Sequence, residues 1–278
     1  MPPSPSLHSQ LQARHIPPSL PRDILGFLLH YPGQQEDKSA SANLRFYNNE
    51  GAARPSRAKC EELQRGLRGN WEELEYNHAF IQWLFPIREQ GVNWEAQPLQ
   101  PHEIEGIKQD PAAMERLLES YRILLAFYGL RLASPTTGEL ALADEVPAPD
   151  PSSYLRRFRN LEHNSHNFLR VTRILKCLGE FGLTQHPPSF LLFLLFLQAA
   201  PPSDRHLSSP SLVRSMDGYW RWCVRDDGDR QFVVEKVDEV RKGGEWTGEE
   251  YREWVKRRAE ERAKEGRRET VEEAVVQE

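Results

Sequence analysis

The chain has 278 residues, 38% hydrophobic and 28% charged, which is enough apolar material for one good core plus polar segments that cannot join it. A formal net charge of −5 excludes a global field that would recruit DNA or an anionic membrane. Three widely spaced cysteines, Cys60, Cys177 and Cys223, exclude a disulfide framework and a zinc ligand set, and they fit a reducing compartment.

Residues Met1–Arg22 carry six prolines and no charged segment followed by an apolar one. They read as a disordered or extended arm without a secretory signal. Asp23–Tyr31 is short and apolar and suits a docking helix. Leu44–Tyr47 is a first aromatic anchor, followed by turn residues Asn48, Asn49 and Gly51. Arg54–Gly69 reads as a loop leading into a short helix.

Asn70–Glu89, NWEELEYNHAFIQWLFPIRE, is the densest run of large side chains and the expected organising element. Asn70 and Glu73 form a capping-box pattern, and Pro86 ends the helix near Trp83–Phe85. The apolar stripe, Trp71, Leu74, Tyr76, Phe80, Ile81, Trp83 and Leu84, is wide enough to require burial on most of its circumference.

A short helix follows from about Pro101 to Lys108. Asp110-Pro111 opens the clearest helix, with apolar residues at i, i+3 and i+4 up to Tyr128 and Gly129 as terminator. Ser134–Pro151 reads as a mobile surface loop. Tyr154–Gly182 is helical, with Leu161, Phe168, Val171, Leu175 and Leu178 on one face. His163, His166, Arg170, Arg173 and Cys177 project from roughly the opposite one. Phe190–Ala200 spans about half of the roughly 20 residues a membrane helix needs, so it reads as a buried core helix.

Ser211–Glu235 fits either a hairpin turning at Asp226–Asp229 or two helices; the helical remainder of the chain favours helices. Beyond Lys236 the chain is almost wholly charged. Thr247 and Glu250 form a second capping box, and Tyr251, Trp254 and Val255 a short apolar seam. The expected architecture is all-α: a disordered arm over residues 1–22, one compact multi-helix domain over 23–241, and a charged helical or disordered tail over 242–278.

Several chemistries lack their patterns. His78, His163 and His166 could meet, but no HExxH or CxxC supports a metal, and Arg170 and Arg173 oppose a cation. Cys177 and His166 are three helical turns apart, roughly 16 Å along a straight helix, too far to pair. There is no GxSxG, no phosphate loop and no dinucleotide fingerprint, so no cofactor is expected. Arg156, Arg157, Arg159, Arg170 and Arg173 interleave with Tyr154 and Phe158, yet no nucleic-acid reader motif fits. Arg170 and Arg173 can clamp a carboxylate or phosphate, or pair with Glu72, Glu73 or Glu75.

Four blocks, NLRFYNNE, NHAFIQWLFPIRE, LLAFYGLRL and RFRNLEHNSHNFLRVTRILKCLGEFGL, resemble the opioid growth factor receptor conserved-region family. They occur in the family's order over about Asn43–Leu183, and more weakly to Val234. The resemblance implies a predominantly α-helical domain and tips Ser211–Val234 toward helix. Named animal members of that family are receptors for an enkephalin peptide. They are unrelated to seven-helix opioid receptors, associate with the nucleus and its envelope, and restrain proliferation. An intracellular, nuclear or perinuclear location and a short peptide partner are therefore expected.

The residues themselves place a non-enzymatic binding groove between the central helix and the Tyr154–Gly182 helix. His78, Trp83, His166, Asn167, Arg170 and Arg173 form its lining, with the arginines orienting an anionic group such as a peptide C-terminus. Two alternatives remain open: an enzyme using His78 or His166 as acid/base, and an adaptor docking a protein partner through Thr247–Glu278.

Overall fold

The computed structural model describes residues 7–143 and 153–276, with residues 267–276 described by backbone alone. In chain order the first helices are α1 (Leu7–Ala13), α2 (Arg22–Leu28), α3 (Ala42–Tyr47), α4 (Cys60–Leu67), α5 (Trp71–Tyr76), α6 (Ile81–Leu84), α7 (Pro101–Gln109) and α8 (Pro111–Phe127). A short antiparallel pair follows, β1 (Leu130–Leu132) and β2 (Leu140–Leu142), with Leu130 opposite Leu142. Then come α9 (Tyr154–Glu162), α10 (His166–Glu180), α11 (His186–Ala199), α12 (Pro210–Gly218), a single 3-10 turn at Trp220–Trp222, α13 (Asp227–Arg241) and α14 (Gly248–Val276). The protein is a mainly helical body, and no described helix is long and apolar enough to cross a membrane.

The centre is α11, not the aromatic stretch at 70–89. Phe190–Leu195 and Leu197 are all buried, and α10, α13, α14 and β2 pack around them. A helix apolar on every side must be enclosed on every side. Where α11 begins, Pro187 and Pro188 occupy first-turn positions, whose N–H groups have no intrahelical partner.

α8 starts as its sequence dictates, with the Ala112 N–H donating to the Asp110 carboxylate at 2.9 Å. It stops at Gly129, whose φ of 80° only glycine adopts without strain. Gly129 also lies against the next helix: a Cβ there would sit 2.6 Å from the Tyr154 carbonyl. At Asp226 the side chain accepts from the Asp229 N–H at 2.8 Å, so the acidic cluster caps α13 and no hairpin forms.

Four expectations are corrected. The first concerns the N-terminal arm. Its prolines leave Leu7–Ala13 free, and this run forms α1 with Leu11 and Ile16 buried. Arg14 ties the segment down, donating to the Leu28 carbonyl at 2.6 Å and pairing with Asp227 at 2.9 Å. Residues 1–6 of the expected arm lie outside the described residues. Second, part of the expected loop at 134–151 forms β2, because buried Leu140 donates its N–H to the Tyr251 hydroxyl at 2.7 Å. The remainder, 144–151, lies outside the described residues. Third, α14 is not a solvated tail over its first turns. Its capping box forms, Tyr251, Trp254 and Val255 are buried, and Arg258 and Arg262 both pair with the buried carboxylate of Asp229. Residues 277–278 lie outside the described residues.

Fourth, the central helix is broken. α5 ends at Tyr76 and α6 begins at Ile81, separated by an irregular turn over residues 77–80. Tyr76, expected inside, is exposed. The Tyr154–Gly182 stretch is likewise two helices, and α10 is packed on both sides. Arg170 and Cys177 are buried, while Leu169 is 75% exposed.

Candidate ligand-binding groove

The groove begins with the break between α5 and α6. The Asn77 side chain accepts from the Ala79 N–H at 2.8 Å, which fixes a tight turn and diverts the chain from the helix. The carbonyls at the end of α5 then have no intrahelical donors. Arg170 supplies them from α10. Its guanidinium donates to the carbonyls of Leu74 at 2.5 Å and Asn77 at 3.0 Å, to Asn167 Oδ1 at 3.0 Å, and to His78 Nδ1 at 2.9 Å. It also lies over the Phe80 ring, 5.2 Å from the centroid. Arg170 is 4% exposed. It is therefore the C-cap of a helix distant in sequence.

The break turns His78 and Gln82 toward α10 and opens a cavity of about 640 Å³ between α10 and the 78–93 segment. That volume is ordinary for a small-ligand or peptide-side-chain site. Its mouth is apolar, with Leu169 75% exposed on one side and Val92 fully exposed on the other. Ile81 and Ile87 extend the apolar wall inward.

Charge in the groove is unevenly distributed. Lys176 is 1% exposed and bonded to Asp23 at 2.8 Å and Glu89 at 2.9 Å. Burial disfavours its cation, but the two carboxylates outweigh that and raise its pKa. Glu89 also accepts from the Tyr31 hydroxyl at 2.9 Å. Arg173 contrasts with it. It donates to the Phe85 carbonyl at 3.2 Å and Gln82 Oε1 at 3.5 Å, both neutral acceptors. Among the described residues no carboxylate lies within ion-pair distance of it; burial lowers its pKa, and the field of Glu89, farther off, only partly opposes this.

The residues expected to line the groove divide. His78, His166, Arg170 and Arg173 meet there. The rings of His78 and His166 pack edge to face, 5.0 Å apart, and His166 Nε2 lies 3.0 Å from Glu75 Oε1. Burial pushes the His166 pKa down; Glu75 opposes this, while Arg170 and His78 add to it. Asn167 is fully buried, donating to the Asn160 carbonyl at 2.8 Å, and it supports Arg170 from behind.

Trp83 is not in the lining. Its Nε1–H donates to the Arg54 carbonyl at 3.0 Å, and its ring lies 5.5 Å from that of Phe46, inside the core. The broken helix accounts for this, since α6 presents Gln82 to the groove and turns Trp83 inward. Nor does Cys177 reach the groove; it is fully buried and burial pushes its thiol well above the usual range. No group of three or more His, Cys, Asp or Glu side chains among the described residues could hold a metal ion.

Four contributors escape a reading by residue type: Gly91, Val92, Leu169 and Lys176. Gly91 crosses the groove floor so closely that a Cβ would fall 1.3 Å from Gln82 Oε1 and 2.6 Å from the Arg173 guanidinium. A glycine beside a proline-terminated aromatic helix is a signal of close approach, though not of which neighbour it approaches.

Residues 36–246 match the family model described as the opioid growth factor receptor (OGFr) conserved region. Opioid growth factor receptor of Mus musculus is 37% identical over 232 residues, 83% of this chain and 35% of that protein. Its Homo sapiens counterpart is 40% identical over 176 residues, 63% of this chain and 25% of that protein. Opioid growth factor receptor-like protein 1 of Mus musculus is 34% identical over 215 residues, 77% of this chain and 43% of that protein. The aligned part thus spans less than half the length of these relatives. No solved structure matches the chain.

Proposed function

The chain belongs to the opioid growth factor receptor conserved-region family, and on that premise we propose that it is a non-enzymatic, receptor-like binding protein. A short peptide, enkephalin-like by family resemblance, occupies the groove between α10 and the 78–93 segment. Family membership also supports a role in growth regulation and a location at the nucleus and its membrane periphery. The free, buried state of all three cysteines fits a reducing intracellular setting.

One observation carries the reading: an open cavity joins an apolar mouth, Leu169 and Val92, to a cation without a carboxylate partner, Arg173. Leu169 and Val92 bring exposed apolar side chains to the edge of a cleft whose wall, Ile81 and Ile87, is also apolar. The adaptor reading has less support, because Tyr251, Trp254 and Val255, the seam a partner would cover, are buried against the body. The acid/base reading is weakened because His78 Nδ1 faces Arg170 and His166 Nε2 faces Glu75.

Calorimetric titration of a met-enkephalin-like peptide tests the proposal. The wild-type chain should give saturable heat. Leu169→Glu, which removes apolar area from the mouth and puts a carboxylate four residues before Arg173, within pairing reach of it, should weaken binding at least about tenfold. Absence of heat with the wild-type chain at high peptide concentration, or equal affinity for the variant, overturns it.

A further inference from the structure

We infer, resting on the binding reading above, that the groove selects peptides by their free C-terminal carboxylate, with Arg173 as the residue that fixes it. Three cations stand in the groove, and two of them are already engaged. Arg170 has committed its guanidinium to the Leu74 and Asn77 carbonyls, Asn167 and His78. Lys176 is held by Asp23 and Glu89. Arg173 alone of the three has donors to spare: it makes two hydrogen bonds, at 3.2 and 3.5 Å, against four at 2.5–3.0 Å for Arg170. A guanidinium carries five N–H donors in a planar fork, so most of its donor capacity remains for a ligand. A carboxylate matches that fork with two parallel hydrogen bonds.

The geometry points to a chain end, not an acidic side chain within a peptide. Gly91 closes the floor beside Arg173, leaving no space there even for a methyl group. Past Arg173, one helical turn along α10, Lys176 and its partners Asp23 and Glu89 fill that end of the cavity with charged groups, which a continuing neutral chain could cover only by desolvating them. A peptide entering at the mouth therefore stops at Arg173. Its last apolar side chains meet Leu169, Val92 and Ile81, which supply area without charge. The ligand class is a linear peptide with an unmodified C-terminus preceded by large apolar residues.

The test uses acetyl-Gly-Phe-Leu as free acid and as C-terminal amide, titrated into the full chain by calorimetry. The acid should bind roughly tenfold to a hundredfold more tightly than the amide, the range of a charge-assisted hydrogen-bonded pair. Arg173→Met should abolish that preference while keeping the melting temperature close to wild type. Gly91→Ala, which displaces Gln82 and Arg173 without removing them, should reduce the preference as well, and it serves if Arg173→Met does not fold. Equal affinity of acid and amide for the wild-type chain, or an acid preference that survives in the variants, overturns the inference. So does an amidated acetyl-Glu-Phe-Leu that binds as tightly as the free acid, or inorganic phosphate that competes at the same concentration. A met-enkephalin-like peptide that fails to bind while the acetyl tripeptide shows its acid preference sinks the receptor reading alone. A met-enkephalin-like peptide that binds equally as acid and amide, and is lost in Leu169→Glu, sinks this inference alone. No binding of the acetyl tripeptide acid at millimolar concentration overturns both.

Discussion

Arg170 and Arg173 are one turn apart on α10 and were expected to act together, yet their variants should behave oppositely. Arg170→Met keeps an aliphatic stem but deletes every donor and the guanidinium that lies over Phe80. The Leu74 carbonyl belongs to a fully buried residue, so water does not replace the lost 2.5 Å bond. Asn167 is equally buried and loses the partner of its Oδ1. The Asn77 carbonyl is nearer the surface and rehydrates. One stranded buried acceptor costs about 1–3 kcal/mol. Two such groups, with water recovering the third, give a loss of about 3 kcal/mol. For a domain of 150–250 residues each kcal/mol lowers Tm by about 2–4 °C, so the drop should be about 6–12 °C. Arg173→Met gives up two long bonds at a wetter position and should cost less than about 1 kcal/mol. Paired thermal and urea unfolding of the two variants decides the matter. Equal losses, or a larger one at Arg173, would refute the assignment of Arg170 to structure and Arg173 to ligand.

The remaining predictions concern buried polar groups. His186 is fully buried at the start of α11, and burial, aided by Arg262 and Arg122, lowers its pKa to about 3. The unfolded chain binds a proton there below about pH 6.5 and the folded chain does not, so stability is lost as pH falls from about 6.5 toward 3. Between pH 6.5 and 5, before most carboxylates protonate, this group contributes a slope of at most about 1.4 kcal/mol per pH unit. His186→Phe should flatten urea-midpoint profiles over that window, and an unchanged slope counts against the buried neutral imidazole. Burial pushes Cys60 and Cys223 up to about 12 and Cys177 well above the usual range. None of the three should label with an aromatic disulfide reagent at pH 8 until urea unfolds the chain; fast labelling of the native protein is the contrary result. Glu103 is fully buried and accepts from the N–H groups of Asn43, Leu44 and Gln100 and the side chains of Asn43 and Gln97. Glu103→Gln sets an amide donor against donors only and should cost about 2–3 kcal/mol in urea unfolding. A loss below about 0.5 kcal/mol would mean that the α3–α7 junction does not depend on this carboxylate.

What could be read from the sequence follows the range of the forces involved. Helix ends written by neighbouring residues were legible: Asp110-Pro111 and Gly129 around α8, and Thr247 with Glu250 at the start of α14. The core role of Phe190–Ala200 was legible because its apolar character has no period. The family was legible from four blocks in order. The break at residues 77–80 was not, because the group that stabilises it, Arg170, stands more than 90 positions away. Local propensity favours one continuous helix there. Trp83 illustrates the same limit: a stripe that wide must be buried nearly all round, and nothing local says that Gln82, not Trp83, faces the gap. In α1 the prolines at 17, 18 and 21 suggested an extended arm, while Leu11 and Ile16 found a core that only the folded body provides. A cavity does lie between the two segments named from the sequence, but which of two arginines on one helix face is saturated depends on acceptors contributed from elsewhere.

That division follows from the break itself. If α5 ran on into α6, the carbonyls of Leu74 and its neighbours would accept from the next turn of the same helix. Arg170, buried against them, would then lose its carbonyl acceptors and hold its charge on Asn167 Oδ1 alone, at a cost of several kcal/mol. The broken helix and the buried arginine are thus stable together, and neither is stable alone. The same break removes a turn of helix that would have filled the space beside α10, and the cavity lies where that turn is missing. The arginine that makes the groove is therefore saturated by making it. Under the proposed reading, recognition falls to Arg173, one turn further on, which Gln82 holds only at 3.5 Å. Substitutions at the first should abolish binding by way of the fold, and substitutions at the second without touching it.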